Sequence, residues 1–278
     1  MDPLVEVPYE QWPVLQKELR NLWPLNVAGY YALYTNINYS SIREAFQFKV
    51  FSVFGDIKNG FVATSTKGAS SEYIIFSTSE DTKPLEEALI KTKLVKWTEL
   101  IVIDLVSSLT LKALDNVLPQ MNLSLWKTGR VKTYFLDKST KKFEGLTCPP
   151  NMYLAALNQD HIQRVDDTWP YKHEGSYFYF STLATANLAY GIFLAKEHKL
   201  VAWVFLNEYN FICHLYCEEK HRRKGYSEYL LKHVINDELT KGNDVYTYVE
   251  DDNEKSSRLF DKLGFANVDD GAYMFIQK

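Results

Sequence analysis

Apolar positions recur at helical spacing in some stretches of the chain and alternate in others, and that contrast draws most of its elements. In YEQWPVLQKELRNLW, Trp12, Leu15, Leu19 and Leu22 share one helical face, which predicts an opening helix. GYYALYTNI (29–37), FQFKVFSVFG (46–55) and EYIIFST (72–78) are rich in aromatic and β-branched residues and predict strands. The Asn59-Gly60 pair between the second and third favours a tight hairpin turn. EDTKPLEEALIKTKL predicts a helix, with Thr82 near its cap and Pro84 in its first turn. ELIVIDL (99–105) predicts a buried strand, SSLTLKALDNVL (107–118) a helix, and GRVKTYFLD (129–137) an alternating strand.

The charged stretch DKSTKKFEGLTCPPNM (137–152), with its Pro-Pro pair, interrupts this pattern and marks a domain boundary. Beyond it NQDHIQRVDDTW (158–169) and YFYFSTLATANL (177–188) predict helices around the loop YKHEGS, and 190–196, 200–206 and 210–217 predict three strands. A helix over 225–240 ends near Gly242, a strand spans 244–250, a helix spans 253–265, and AYMFIQK closes as a strand. The expected class is therefore α+β, in two domains of comparable element order, 1–148 and 149–278.

Composition narrows the function. With 46% apolar and 24% charged residues the chain has ample core material, and its net charge of −4 and pI near 5.9 give no global field for nucleic acid. The aromatic share, 15% with 19 Tyr, fits half-buried strands and an aromatic-lined pocket alike. Cys148, Cys213 and Cys217 are too few for a disulfide scaffold. On one strand Cys213 and Cys217 would lie roughly 13 Å apart, too far to bridge or to share a metal, so no metal is expected. The acidic, Pro-interrupted start does not fit a targeting peptide, and no run approaches the length of a membrane span. A soluble, cytoplasmic protein is expected, with a mitochondrial location left open, as a monomer or homodimer.

The exception to the mild charge is Lys220-His221-Arg222-Arg223-Lys224, followed by Gly225 and a good helix. A helix beginning at Gly225 points its unpaired N–H groups and its positive dipole end back at this run, which makes an anion site. Glycine lets a phosphate approach the backbone, and Ser227 keeps the next position small. A sorting signal, read as an exposed extended peptide, would need none of these placements, and a solvated basic face stays open as the alternative.

Arg222-Arg223-Lys224-Gly225-Tyr226-Ser227 resembles the acyl-CoA loop of the GNAT superfamily of N-acetyltransferases, Arg/Gln-x-x-Gly-x-Gly/Ala. NEKSSRLFDKLGF resembles the family's segment after the fifth strand. DDTWPYKHEGS followed by LVAWVFLNEY is similar to the subgroup of glycine N-acyltransferases and their insect relatives. The likeness covers the C-terminal half; the N-terminal half is similar only in layout, as a degenerate GNAT-like unit without a phosphate loop. It implies a GNAT fold and acetyl-CoA or another acyl-CoA as co-substrate. The diphosphate would lie on the amides of residues 223–228, including Glu228, and the pantetheine arm beside Leu215, Tyr216 and Cys217. Asn253, Ser256 and Phe260 would lie near that arm, although Asn253 serves equally as a helix cap.

The same likeness leaves the proton handlers open. Phe260 stands where the family commonly has a tyrosine, and Phe211 where the subgroup has a glutamate. Tyr226 and Tyr229 have no obvious reach. His214, with a suitable pKa, and Glu208 are the candidate catalytic residues, while Trp169, Tyr171, His173 and Glu174 would roof the acceptor site. His214 reads first as a structural histidine, and it lies on the strand face opposite Leu215 unless a bulge turns it. The expected activity is N-acylation of a small amine or an amino acid such as glycine. The alternatives are peptide N-acetylation and a coenzyme-binding regulator without turnover, the last favoured by Phe260 and Phe211.

Overall fold

A computed structural model of the chain describes residues 1–67, 70–97 and 99–277. In chain order the first elements are β1 (Leu4–Glu6), α1 (Trp12–Glu18), α2 (Val27–Asn38), α3 (Ser40–Ala45), β2 (Lys49–Val53), β3 (Phe61–Lys67) and β4 (Ser70–Phe76). They are followed by α4 (Lys83–Lys91), β5 (Ile101–Val106), α5 (Ser108–Gln120), β6 (Ser124–Leu136), β7 (Met152–Ala156), α6 (Gln159–Thr168) and α7 (Ser176–Thr185). The rest are β8 (Ala189–Leu194), β9 (Leu200–Leu206), β10 (Ile212–Cys217), α8 (Tyr226–Thr240), β11 (Val245–Glu250), α9 (Glu254–Lys262) and β12 (Ala266–Gln277). The chain is α+β, as its pattern implies, and divides into two compact units.

The first unit comprises Met1–Thr133, Val249–Asp252 and Asn267–Lys278. Its strands lie in an eight-stranded sheet of order β1-β2-β3-β4-β5-β12-β6-β11. The β4–β5 pair is parallel, while β1–β2, β2–β3, β3–β4 and β5–β12 are antiparallel. Val53, Val62, Ile75 and Ile103 on the sheet, with Leu85, Leu89 and Val117 from α4 and α5, are all but sealed from solvent and form the core. This burial is the main driving term for the unit.

The strand expected at 29–37 is instead the helix α2. Val27, Ala28, Tyr31, Ala32, Leu33 and Thr35 are buried almost all round it. Its half-buried stripe, Tyr30, Tyr34 and Ile37, is aromatic and apolar, so no polar stripe reveals the helical period. Gly29 explains how close it packs: a Cβ there would sit 2.9 Å from the Phe76 ring. The Asn59-Gly60 pair is not a two-residue hairpin turn either. Asn59 ends a short 3-10 turn and Gly60 follows at φ +108°, inside the longer β2–β3 connection.

Lys67, Glu72 and Asp104, on three neighbouring strands, form a charged cluster in this unit. Lys67 pairs with Glu72, whose side chain is 16% exposed. Burial pushes the Glu72 carboxyl up to about 7, Lys67 opposes the rise, and Asp104 adds to it. Glu72 thus binds its proton more tightly in the folded state than at its ordinary value of 4.5. The resulting stability is complete below that value and is lost as pH climbs through about 7. Urea unfolding between pH 4.5 and 7.5 should show wild type losing on the order of 1–3 kcal/mol more than Glu72→Gln. Parallel pH profiles would refute the assignment.

The second unit comprises Tyr134–Tyr248 and Asn253–Ala266, so the division falls at Thr133/Tyr134 rather than at 148/149. The reason lies in the supposed linker. Lys138 N donates to Asp244 Oδ1 (3.0 Å), and Phe143 N and O bond the Asn236 side chain (2.8 Å each). These bonds tie 138–143 to the second unit. The polar stretch also ends in a strand not evident from its pattern, β7, which pairs with β8.

The unit's sheet has the order β10-β9-β8-β7, with antiparallel pairs throughout. Every residue of β9 is buried, the mark of a strand covered on both faces. Leu230, Leu231, Val234 and Ile235 of α8 are fully buried, and α8 packs on β8, β9 and β10. Phe180 of α7 meets Phe205 of β9 with ring centroids 5.2 Å apart.

Candidate functional site

The site is built where β10 ends. β10 is the edge of its sheet, and β11 is not among that sheet's strands. Side chains nevertheless hold the two at one end: Thr247 Oγ1 donates to Ile212 O (2.7 Å), and the Tyr246 hydroxyl donates to Tyr209 O. These side-chain bonds take the place of a ladder, because β10 and β11 are not paired as neighbouring strands.

Within β10 the register slips. Cys213 faces Phe205 and Tyr216 faces Trp203, so His214 and Leu215 lie against the single residue Val204. This is a β-bulge, with His214 at φ +50°. It turns the His214 ring into an aromatic cluster, with centroids 4.9 Å from Phe180, 5.3 Å from Trp169 and 5.8 Å from Tyr179. Leu215 and Tyr216 are half-buried, and Tyr216 stacks on Trp203 at 4.5 Å. Cys217 is buried, and that burial pushes its thiol pKa up; it and the other two cysteines are free thiols.

Past Cys217 the chain makes a tight basic loop. Arg222 folds back, its Nε donating to Cys217 O (3.0 Å), which closes the loop on the strand end. Arg223 and Gly225 both adopt left-handed backbone, at φ +61° and +79°. Alternating conformations of this kind curl successive amides into a concavity suited to an anion. Gly225 is the N-cap of α8, and no side chain caps that helix. A Cβ built there meets nothing within 4 Å, so the approach is open. In the same unit α6 and α9 begin on asparagine caps, Asn158 and Asn253.

Arg222, Arg223, Lys224 and Gly225 are exposed, and Tyr226, Ser227 and Glu228 are half-buried. His221 lies against Tyr226, with ring centroids 6.3 Å apart, and its enclosed Nδ1 has no hydrogen-bond partner among the described residues. Burial lowers its pKa, and Lys224 and Lys220 lower it further. Hydrogen bonds from Lys232 and Lys262 hold the Glu228 carboxyl below its usual range, so this first-turn carboxylate is ionised and complements the helix dipole.

On the opposite side of β10 stands the α6–α7 connection. Trp169, the C-cap of α6, touches Tyr171 (6.0 Å), His173 (5.8 Å) and His214 (5.3 Å), so one indole joins this loop to the bulge. Buried Asp166 fixes the loop from below. It accepts from the Ser176 hydroxyl and pairs with Lys172 (3.0 Å). Tyr171, His173 and Glu174 are exposed.

Three further expected residues are placed by their packing and hydrogen bonds. Phe260 is 4% exposed and packs between Tyr134 and Phe265, so its ring belongs to the core. Glu208 is 1% exposed, in the turn that the Asn207 and Asn210 backbone closes, and offers no surface to a substrate. Asn253 is a helix cap: its Oδ1 accepts from the amide of half-buried Ser256 (3.2 Å).

A family model described as FR47-like protein matches residues 189–274. The structure superposes on that of a Drosophila protein with a TM-score of 0.85 at 17% identity, covering 99% of this chain and 98% of that one. It also resembles a tandem GNAT protein from the clavulanic acid biosynthesis pathway (TM-score 0.60, 12% identity, 98% and 97% covered). The chain has a tandem GNAT fold. An acetyltransferase of the GNAT family from Colwellia psychrerythraea shares the fold at a TM-score of 0.53 and 12% identity, with 99% and 98% covered. No curated protein matches the sequence.

The two GNAT-like units differ at corresponding helix starts. In the first unit α4 follows the acidic stretch Ser77–Thr82, Asp81 Oδ1 accepts from Lys83 N (3.1 Å), and Pro84 lacks an N–H. That helix start is closed to an anion, whereas the start of α8 is open. Among the described residues no cluster of His, Cys, Asp or Glu is placed to hold a metal, and no helix is long and apolar enough to cross a membrane.

Proposed function

We propose that the chain is an acyl-CoA-dependent N-acyltransferase that acylates a small amine. The observation that carries this reading is the uncapped, open start of α8 at left-handed Gly225, just past the end of β10, an edge strand that does not pair with β11. The amides of 225–228 and the exposed Arg223 and Lys224 would hold the diphosphate. The pantetheine arm would run along Leu215 to Cys217. A neutral amine held there attacks the thioester carbonyl, a β10 amide at the bulge donates to the developing oxyanion, the C–S bond breaks, and the amine's proton passes to solvent. Thiolate is a good enough leaving group, at a pKa near 8.5, to depart without a side-chain acid. Holding amine and thioester together contributes several kcal/mol.

His214 acts in this reading as a wall of the acceptor pocket rather than as a base, because aromatic rings meet it edge-on. His214→Phe should therefore keep kcat within about threefold and leave the pH profile unshifted. A drop of about 10²–10⁴ would make it the general base.

The experiment that tests the function follows free thiol from acetyl-CoA and benzoyl-CoA with a panel of amines that includes glycine. Amine-dependent thiol release supports the reading. Buried Phe260 and enclosed Glu208 favour a second one, coenzyme binding without turnover. Coenzyme affinity without thiol release would leave only that.

A further inference from the structure

Glu218, the first residue of the basic loop, is out of place on simple charge grounds. A carboxylate at the entrance to a diphosphate site repels the ligand. It is also deeply set, with its side chain 7% exposed. Its contacts explain why it is there. One carboxylate oxygen pairs with Arg164 Nη2 on α6, and the other lies 3.9 Å from Lys199 Nζ in the β8–β9 turn. Its backbone is engaged as well. Glu218 N donates to Val201 O (2.9 Å), carrying the β9–β10 pairing one residue past the strand, and Glu218 O accepts from His221 N (2.8 Å).

This one residue therefore fastens the loop's entry to the sheet through its backbone and to α6 through its side chain. α6 ends at Trp169, which packs on His214 of the bulge. The loop carrying the amides and the helix leading into the acceptor side are thus joined at Glu218.

We propose that Glu218 is a positioning residue for the coenzyme, presetting the basic loop by its ion pair with Arg164 of α6. The inference rests on the coenzyme reading above. It makes a prediction opposite in sign to plain electrostatics. Removing a negative charge from a phosphate site should tighten binding if charge alone mattered; here it should weaken it, because the loop must then be ordered at the moment of binding.

The test is calorimetric titration of coenzyme A into wild type, Glu218→Gln, Arg164→Met, the double variant and the charge swap E218R/R164E. All are checked for native circular dichroism and measured well below their melting temperatures. The expected result is a Kd about tenfold weaker for each single variant and a double variant no worse than either single, the non-additivity of one shared interaction. The swap should recover part of the loss. In turnover, KM for the acyl-CoA should rise while kcat stays within about twofold, a split that general destabilisation would not produce. A Glu218→Gln protein that binds coenzyme A as tightly as wild type or more tightly, or singles that simply add, would overturn the inference and leave the coenzyme site intact. Wild type that binds no coenzyme A would overturn both.

Discussion

Charge reversal at both Arg222 and Arg223 (R222E/R223E) is expected to weaken coenzyme A binding by roughly a hundredfold or more. A charge-assisted hydrogen bond contributes about 1.5–3 kcal/mol, and each 1.4 kcal/mol is a factor of ten. The two arginines act differently. Arg222 spends its Nε on Cys217 O, so its loss also opens the loop, whereas Arg223 is exposed on left-handed backbone and offers its fork to solvent. Reversal also places two carboxylates where two phosphates should lie. Calorimetry at about 50 and 200 mM salt checks this. Wild-type affinity should fall with salt and the variant's should fall less, because Lys224 alone keeps part of the screened attraction. A change below about threefold would show that these side chains face solvent only.

The largest loss of stability should come from Trp203→Ala. Trp203 sits on fully buried β9, is 2% exposed, and stacks on Tyr216 of β10. Truncating such a residue costs about 3–5 kcal/mol, part of it in the cavity left behind. The cost falls beside the bulge, because Tyr216 is the residue at which pairing resumes after it. Urea unfolding should therefore show the lower midpoint, and coenzyme affinity should fall even where the protein remains folded. Trp203→Phe should recover most of both. If Trp203→Ala lost stability but bound coenzyme normally, the bulge would be independent of the stack beneath it.

The sequence announced the parts of the site that are local. Gly225 after five potentially basic residues, with a helix beyond, is a contiguous pattern whose chemistry needs no distant partner. The helices with a clear polar face, such as α5, α6 and α9, were legible for the same reason. What escaped was set by contacts far along the chain. α2 reads as a strand because its half-buried stripe carries Tyr30, Tyr34 and Ile37 in place of polar residues. The bulge at His214 depends on how β10 meets β9, which no stretch of β10 encodes by itself. Asp166 looks like one more acidic residue in QRVDD, yet Ser176 and Lys172 make it the anchor of the α6–α7 loop. β12 reads as a closing strand of the second domain, but from Asn267 onward it belongs to the first unit, against β5. Phe260 could be read as a lost proton donor only by resemblance; its place between Tyr134 and Phe265 is a packing fact.

Nuclear magnetic resonance of the nitrogen-labelled protein titrated with coenzyme A asks the most direct question. If the diphosphate is gripped by backbone at the head of α8, the amide signals of Gly225, Tyr226, Ser227 and Glu228 should move furthest and saturate together, and those of Lys83, Leu85 and Glu86 at the start of α4 should stay still. Saturable binding that leaves the 225–228 amides unmoved, or no binding at all, would contradict the account.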